Sequence, residues 1–269
     1  QARVIFNNAD LHFLREIRAA HAENDAGLLD KARQTRTDEM NIINKVDVIL
    51  SYNDVEHSVI QAYSDGKAKV VKCPWVVDVQ DTRAPLKGRS GLSFLGSYRH
   101  YPNAEGIQWF VRDILPAVNG KMASPPDLTI YGAAMTPEIK GLASDQVHPV
   151  GFVADLADAY DSHRVFVAPL RSGAGIKGKV LSALASGIPC VLSPTAAEGI
   201  GLRSGHDCFI VETPDQWADA IDRLMRDDDL WTKTSDNAQT YMRDAYSFAR
   251  GRDRMRTAFE AAELFNNRE

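Results

Sequence analysis

Apolar runs of strand length alternate with helical-period stretches along most of this chain. Arg3 to Asn7 reads as a strand, and Asp10 to Ala22 as an amphipathic helix with Leu11, Leu14, Ile17 and Arg18 on one stripe. Glu23 to Asp38 is polar up to a helix cap, and a helix continues from Asp38 to Lys45. Val46 to Tyr52 is a strand, Asn53 or Asp54 caps a short helix through Ala62, and Lys69 to Cys73 is a strand stopped by Pro74. From Leu92 the alternation is cleaner. Strands are expected at Leu92 to Leu95, Leu128 to Tyr131, Val147 to Val150, Val165 to Ala168, Ile188 to Leu192 and Cys208 to Val211. Between them, Asn103 caps a helix whose Ile107, Phe110, Val111, Ile114 and Leu115 recur at helical spacing, and Pro116 to Pro126 is a loop. Pro137 to Ala143, Asp155 to Asp161 and Lys179 to Ala185 are shorter helices. Pro214 to Met225, Leu230 to Tyr246 and Phe248 to Phe265 close the chain as helices.

Six strands separated by helices imply an α/β fold with a parallel, doubly wound sheet, whose ligands bind beyond the strand carboxyl ends. Those ends carry Gly96 to His100, Tyr131-Gly132, Gly151 to Val153, Arg171 to Lys179 and Ser193 to Gly199. The first 80 or so residues supply only three strands, about half of such a unit, and the chain opens at Gln1 directly into a strand. The expectation is a first domain lacking its leading part. Asp78 to Ser90, polar and aperiodic with Pro85 and Gly88, is the best linker.

The richest chemistry lies between Val165 and Glu198. A glycine turn feeding a helix start aims several N–H groups at one place, and Lys177 and Lys179 beside it suit an anion, phosphate above all. Gly173 to Gly178 matches the dinucleotide fingerprint G-x-G-x-x-G, with Glu198 about 20 residues on. That fingerprint belongs to the first strand of its domain, and several strand–helix units precede this one. As a triphosphate loop the stretch is also imperfect, since Val180 stands where Ser or Thr should hold magnesium. A plain tight turn is the third reading.

Composition narrows the setting. With 269 residues, 44% hydrophobic, 25% charged and a net charge of −5, the chain is an ordinary globular sequence with no bulk attraction to nucleic acid or to a membrane surface. No apolar run approaches a membrane span and no signal peptide is evident. Cys73, Cys190 and Cys208 follow no metal spacing and read as reduced core thiols of a cytosolic protein. Asp227, Asp228 and Asp229 read as a solvated helix start rather than metal ligands.

The whole stretch Ala168 to Leu202 resembles the donor-binding segment of the family 4 (group 1) glycosyltransferases, in the branch with the pattern G-x-G-x-K-x-K. Pro169, Leu170, Arg171, Gly173, Gly175, Lys177, Lys179, Ala183, Leu184, Ala185, Gly187, Pro189, Val191, Glu198 and Gly199 carry the match. Phe94 to Pro116, with Phe94, Gly96, Pro102 and Asn103, resembles the stretch that opens this domain. The resemblance covers roughly residues 90 to 250. It implies a GT-B fold: two Rossmann-like domains with parallel sheets, the first partial over residues 1–82, the donor domain over 83–247, and a last helix over 248–269 packing back on the first domain. Trp231, Tyr241, Phe248, Met255 and Phe259 are the candidates for that packing.

The resemblance further implies transfer of a sugar from a nucleotide-diphosphate sugar to an acceptor hydroxyl, with retention and without a divalent metal or other cofactor. Catalytic candidates are His12, Arg99 and Lys177. Donor-binding candidates are Gly96, His100, Tyr131, Phe152, Val153, Arg171, Gly173, Ala174, Gly175, Ile176, Lys179, Ser182 and Glu198. Ser51, Asn53 and Glu56 resemble an acceptor-domain segment in which a serine and a glutamate begin a helix. The family's two loop glutamates fall here on Ala174 and Ser182, and a serine hydroxyl cannot offer a carboxylate to two ribose hydroxyls. The expected partners are a nucleotide sugar and a glycan or lipid-linked acceptor, in bacterial surface-glycan assembly. The expected place is the cytoplasm, with attachment to the inner membrane face left open. A non-catalytic GT-B relative acting as a scaffold, and a nicotinamide-dependent oxidoreductase, are the alternatives.

Overall fold

A computed structural model describes residues 2–23, 25–64, 69–73, 75–80 and 82–265. The readings placed on Gln1, Pro74, Asp81 and residues 266–269 lie outside them. The first unit runs β1 (Ile5–Asn7), α1 (His12–Glu23), α2 (Ala26–Ile43), β2 (Val48–Ser51), α3 (Asp54–Tyr63) and β3 (Lys69–Lys72), with the strands parallel in the order β1-β2-β3. Leu11, Phe13, Ile43, Ile49 and Ile60 form the core on the α1–α3 face of this sheet. The expectation of a polar connection from Glu23 to Asp38 fails. Asp25 caps α2 by accepting from the N–H groups of Gly27 and Leu28, and the helix then runs unbroken to Ile43. Its apolar stripe is thin, with Ala32 and Ile43 buried, so periodicity alone understates it.

The second unit contains β4 (Leu92–Leu95), α4 (Tyr101–Trp109), α5 (Leu115–Lys121), β5 (Leu128–Tyr131), α6 (Pro137–Lys140), β6 (Val147–Gly151), α7 (Ala157–Tyr160) and β7 (Val165–Ala168). It continues through α8 (Gly178–Ser186), β8 (Cys190–Leu192), α9 (Pro194–Ala197), β9 (Phe209–Ile210), α10 (Pro214–Arg226) and α11 (Asp228–Tyr246). The strands are parallel in the order β6-β5-β4-β7-β8-β9, so the winding reverses between β4 and β7. Pro149 is accommodated because β6 is an edge strand.

Two readings around α4 are corrected. Asn103 does not cap it: the helix starts at Tyr101 behind His100, with Pro102 in its first turn, and the buried Asn103 donates from Nδ2 to Ser97 O at 2.7 Å. Pro116 does not begin a loop either. A π turn over Phe110–Ile114 joins α4 to α5, with Leu115 N–H reaching back to Phe110 O, and Pro116 enters the new first turn where no N–H is needed. The acid run behaves as a helix start, Asp227 accepting from Leu230 N–H.

The last helix, α12 (Phe248–Ala261), crosses back to the first sheet. Ala258 and Ala262 pack there with Val48, Leu50, Val71 and Cys73, and Met255 lies against them. Of the aromatic residues expected in that role, Trp231 is buried in the second unit, Tyr241 donates to Ile200 O, Phe248 is exposed, and Phe259 packs edge-on against Phe265. Small side chains win because they let the helix approach the strands.

The linker is bound rather than loose. Arg89, its side chain almost wholly buried, donates to the carbonyls of Ala84, Pro85, Tyr160 and His163 and stacks over Trp231. Arg89→Met should orphan several of these carbonyls and lower stability by about 3 kcal/mol. The check is a reduced urea midpoint at unchanged slope, and Arg89→Lys should not restore it, because an ammonium cannot span four acceptors in a plane.

Candidate functional site

The carboxyl ends of β4 and β7 face α1 of the first unit across a cleft of about 780 Å³. Arg99, His100, Arg171, Gly173 and Glu198 line it from the second unit, and Arg15 and Arg18 from α1. Arg18 crosses the cleft, donating from Nη1 and Nη2 to Glu198 at 2.8 and 2.6 Å and from Nη1 to Gly173 O at 3.2 Å. Its hydrogen bond to Glu198 holds the guanidinium pKa above its ordinary value. Arg171 lies over the Trp109 ring at 5.5 Å. Behind Arg18, the buried Glu56 is held above the usual carboxylate range by desolvation.

The glycine loop closes on its own lysine. Positive φ at Gly173 and Gly175 turns the carbonyls of Ala174 and Gly175 toward Lys177 Nζ, at 3.2 and 2.6 Å. Ile176 packs against the core, and Lys177 precedes the first residue of α8. Lys179 turns inward, its ammonium bonded to Asn103 and 4.7 Å from the Phe94 ring centroid, beside Gly96. Burial pushes Lys177 down to about 8 and Lys179 to about 7. Both then carry less than full charge near neutrality, and an anion at the loop would restore it.

That pair sets a pH dependence. A lysine whose folded pKa is depressed binds fewer protons folded than unfolded, so stability rises with pH between the folded value and about 10.4. Burial also raises Cys73, Cys190 and Cys208, which opposes the gain above about pH 8.5. Stability should therefore climb from pH 7 to 8.5, by up to about 1.4 kcal/mol per pH unit for each lysine. Urea midpoints across that window test it, and Lys179→Met should flatten the slope.

The structure brings together Arg99, His100, Arg171, Gly173 and Glu198, with Gly96, Ala174, Gly175, Lys177 and Lys179 behind or beside them. It does not bring the others to this cleft. Tyr131 is buried, its hydroxyl 2.9 Å from His163 Nε2, because its side chain enters the core rather than the sheet edge. His12 starts α1 with Nε2 3.2 Å from Asp10 Oδ1 and its backbone N–H on Glu39; Asp10, not the imidazole, lies against Gly175. Phe152 is 74% exposed just past β6, and Val153 packs against the core. Ser182 lines a separate cavity of about 520 Å³ with Asp155, Leu156, Tyr160, Ser186 and linker residues. Sequence reasoning missed Arg18 as a cleft residue, and the signal for it was its place on an otherwise apolar stripe. Asn103 as a lysine partner had none.

The dinucleotide reading fails on topology, since the glycine loop follows β7, the strand beyond the reversal, and Glu198 is engaged by Arg18. Among the described residues no cluster of His, Cys, Asp or Glu gathers as a metal site, and no helix is long and apolar enough to cross a membrane.

Solved structures share this architecture. TarM of S. aureus, in complex with fondaparinux, α-GlcNAc-glycerol and UDP, matches 84% of this chain and 46% of its own at 14% identity, TM-score 0.71. Sucrose-phosphate synthase from Thermosynechococcus elongatus matches over 97% and 68% at 15% identity, TM-score 0.73. HepE of Anabaena, in complex with UDP and glucose, matches over 95% and 71% at 14% identity, TM-score 0.66. The chain spans about half the length of TarM. No curated protein matches it. At these identities the likeness is one of fold, and the fold is of the GT-B type. A family model described as glycosyl transferases group 1 matches residues 89–227, more than half of the sequence, and the chain belongs to that family.

Proposed function

We propose that this chain transfers a sugar from a nucleoside diphosphate sugar to an acceptor hydroxyl. The observation that carries the reading is the convergence of Arg99, Arg171 and the Lys177 loop on the cleft at the point where the sheet reverses. In the transfer, the bond from the anomeric carbon to the diphosphate oxygen breaks. The acceptor oxygen takes its place and loses its proton. Negative charge accumulates on the departing diphosphate, so fixed cations at that point lower the barrier. Lys177, Lys179, Arg99 and the N–H groups at the start of α8 supply them, in the place a divalent metal could otherwise fill. Retention and metal independence are part of the proposal.

Ser182 lies four residues, just over one turn, into α8 from Gly178, about 6 Å along the axis. A nucleotide laid over that turn has its nucleoside in the Ser182 cavity, near Asp155, Phe152 and Val153. Its diphosphate then sits at the helix start and its sugar in the larger cleft. Asp10, with His12 behind it, stands on the acceptor side. Assembly of a bacterial surface glycan at the inner membrane face is the proposed setting.

The test is calorimetry with UDP, the nucleotide held by TarM and HepE, against GDP, ADP and CMP. UDP binding without metal, weakened at least tenfold in Arg99→Ala, is expected; no binding by any nucleotide counts against the reading. The missing ribose carboxylate favours a second reading, a non-catalytic relative. If the site has decayed, Ser182→Glu will raise affinity strongly. If the hydroxyl suffices, that substitution will leave affinity unchanged.

A further inference from the structure

The cleft between the two units is far more basic than the chain around it. Four of its lining side chains are arginines, Arg15, Arg18, Arg99 and Arg171, against one carboxylate, Glu198. The chain as a whole carries a net charge of −5. An acidic protein that gathers cations in one concavity draws anions there. Pairing inside the fold accounts for two of the four. Arg15 donates to Asp10 at 2.7 Å, and Arg18 donates to both oxygens of Glu198. The proposed transfer uses Arg99, with Lys177 and Lys179, for the diphosphate. Arg171 is left over. It lies over Trp109 and makes no hydrogen bond or ion pair among the described residues. Asp113 stands within electrostatic range of it, but Arg112 already donates to Asp113 at 2.7 and 3.0 Å.

Hydrogen-bonding capacity selects the ligand further. A neutral sugar presents hydroxyls that donate as well as accept, so its site needs acceptors. Side-chain acceptors are scarce in this cleft. Both Glu198 oxygens already accept from Arg18, and Ser172 Oγ is spent on Glu105 Oε2 at 2.7 Å. The polar side chains still open are Arg99 and Arg171, which only donate, with His100 and Thr195. Arg171 is also preset for one kind of acceptor. Its guanidinium lies over the Trp109 ring at 5.5 Å. A guanidinium on an aromatic face keeps its N–H groups, which lie in its own plane, for a planar partner. Two parallel N–H groups match the two oxygens of a carboxylate.

We propose that a sugar handled in this cleft carries a carboxylate, a hexuronate in chemical class, and that Arg171 pairs with it. The carboxylate belongs to the sugar of the donor or to that of the acceptor, and either would meet the same guanidinium. The division of the cations rests on the transferase reading; the excess of donors over acceptors does not.

The test uses the intact chain in two arms. The donor arm compares UDP-glucuronate with UDP-glucose by calorimetry. The acceptor arm compares methyl glucuronide with methyl glucoside by ligand-observed NMR titration, with and without UDP. At least one arm should show about tenfold tighter binding of the carboxylate compound, as a charge-assisted pair at an open site gives. The arm that responds names the source of the carboxylate. Arg171→Gln, at an exposed position, should abolish the preference. Arg171→Lys should restore only part of it, because an ammonium has no fork. No preference in either arm overturns the proposal, as does a preference that survives Arg171→Gln. Loss of all nucleotide binding in that variant also overturns it, because Arg171 then serves the diphosphate. UDP binding without preference for either carboxylate compound leaves the transferase reading standing alone. If the glucuronide binds through Arg171 while no nucleotide binds, the site stands and the transferase reading falls.

Discussion

Replacing Gly132 by alanine leaves no folded second unit. Gly132 follows β5 at φ +141°, and its N–H donates to Gly151 O at 2.7 Å. A Cβ there would lie 1.7 Å from Gly96 O, which is backbone and cannot swing aside. Gly96 N–H is itself bonded to Tyr131 O, so yielding would pull apart the ends of β4 and β5 together. The expected cost exceeds about 4 kcal/mol, the range reached only when a substitution forces the backbone. Gly120→Ala is the control. Gly120 lies in α5 with open space around it, and alanine there should stabilise by about 0.5–1 kcal/mol. Soluble yield and urea midpoints of the two variants decide the matter. A stable Gly132→Ala protein would mean that the β4 and β5 loops are arranged otherwise.

Loss of the Lys177 side chain is the largest expected effect on activity. Its ammonium holds the carbonyls of Ala174 and Gly175 and is pushed down to about 8 by burial, with Glu198 opposing that shift. A diphosphate at the loop would compete for the same protons and draw the lysine to full charge. In the proposed transfer, Lys177→Ala removes a cation where charge builds only as the diphosphate departs. Turnover should fall by about 10²–10³, with a smaller change in UDP affinity. Single-turnover rates alongside calorimetry separate the two. A change confined to affinity would mean that the lysine binds donor and transition state alike.

Two parallel α/β units, the glycine loop, the helix it feeds and Arg99 and Arg171 at the strand ends were all legible in the sequence. The reason is that each is written locally. Val165 to Ala168 is apolar throughout because a strand covered on both faces must be, and Gly173, Gly175 and Gly187 mark positions where φ is positive. Parallel strands then place every such loop on one edge of the sheet, so a motif's position along the chain already gives its position in space.

What escaped was whatever depends on partners distant in sequence. Lys179 finds Asn103, Arg18 finds Glu198, Arg89 finds four carbonyls, and Tyr131 finds His163. No periodicity reveals these pairs, because a side chain at a strand end can turn to the cleft or to the core with the same sequence around it. The chain by itself determined which loops meet at the edge and that they carry cations. Only the tertiary structure decided which cations are desolvated, which are already paired, and that Ser182 and Arg99 open on different cavities. Desolvation and pairing are set by what the rest of the fold packs against a side chain.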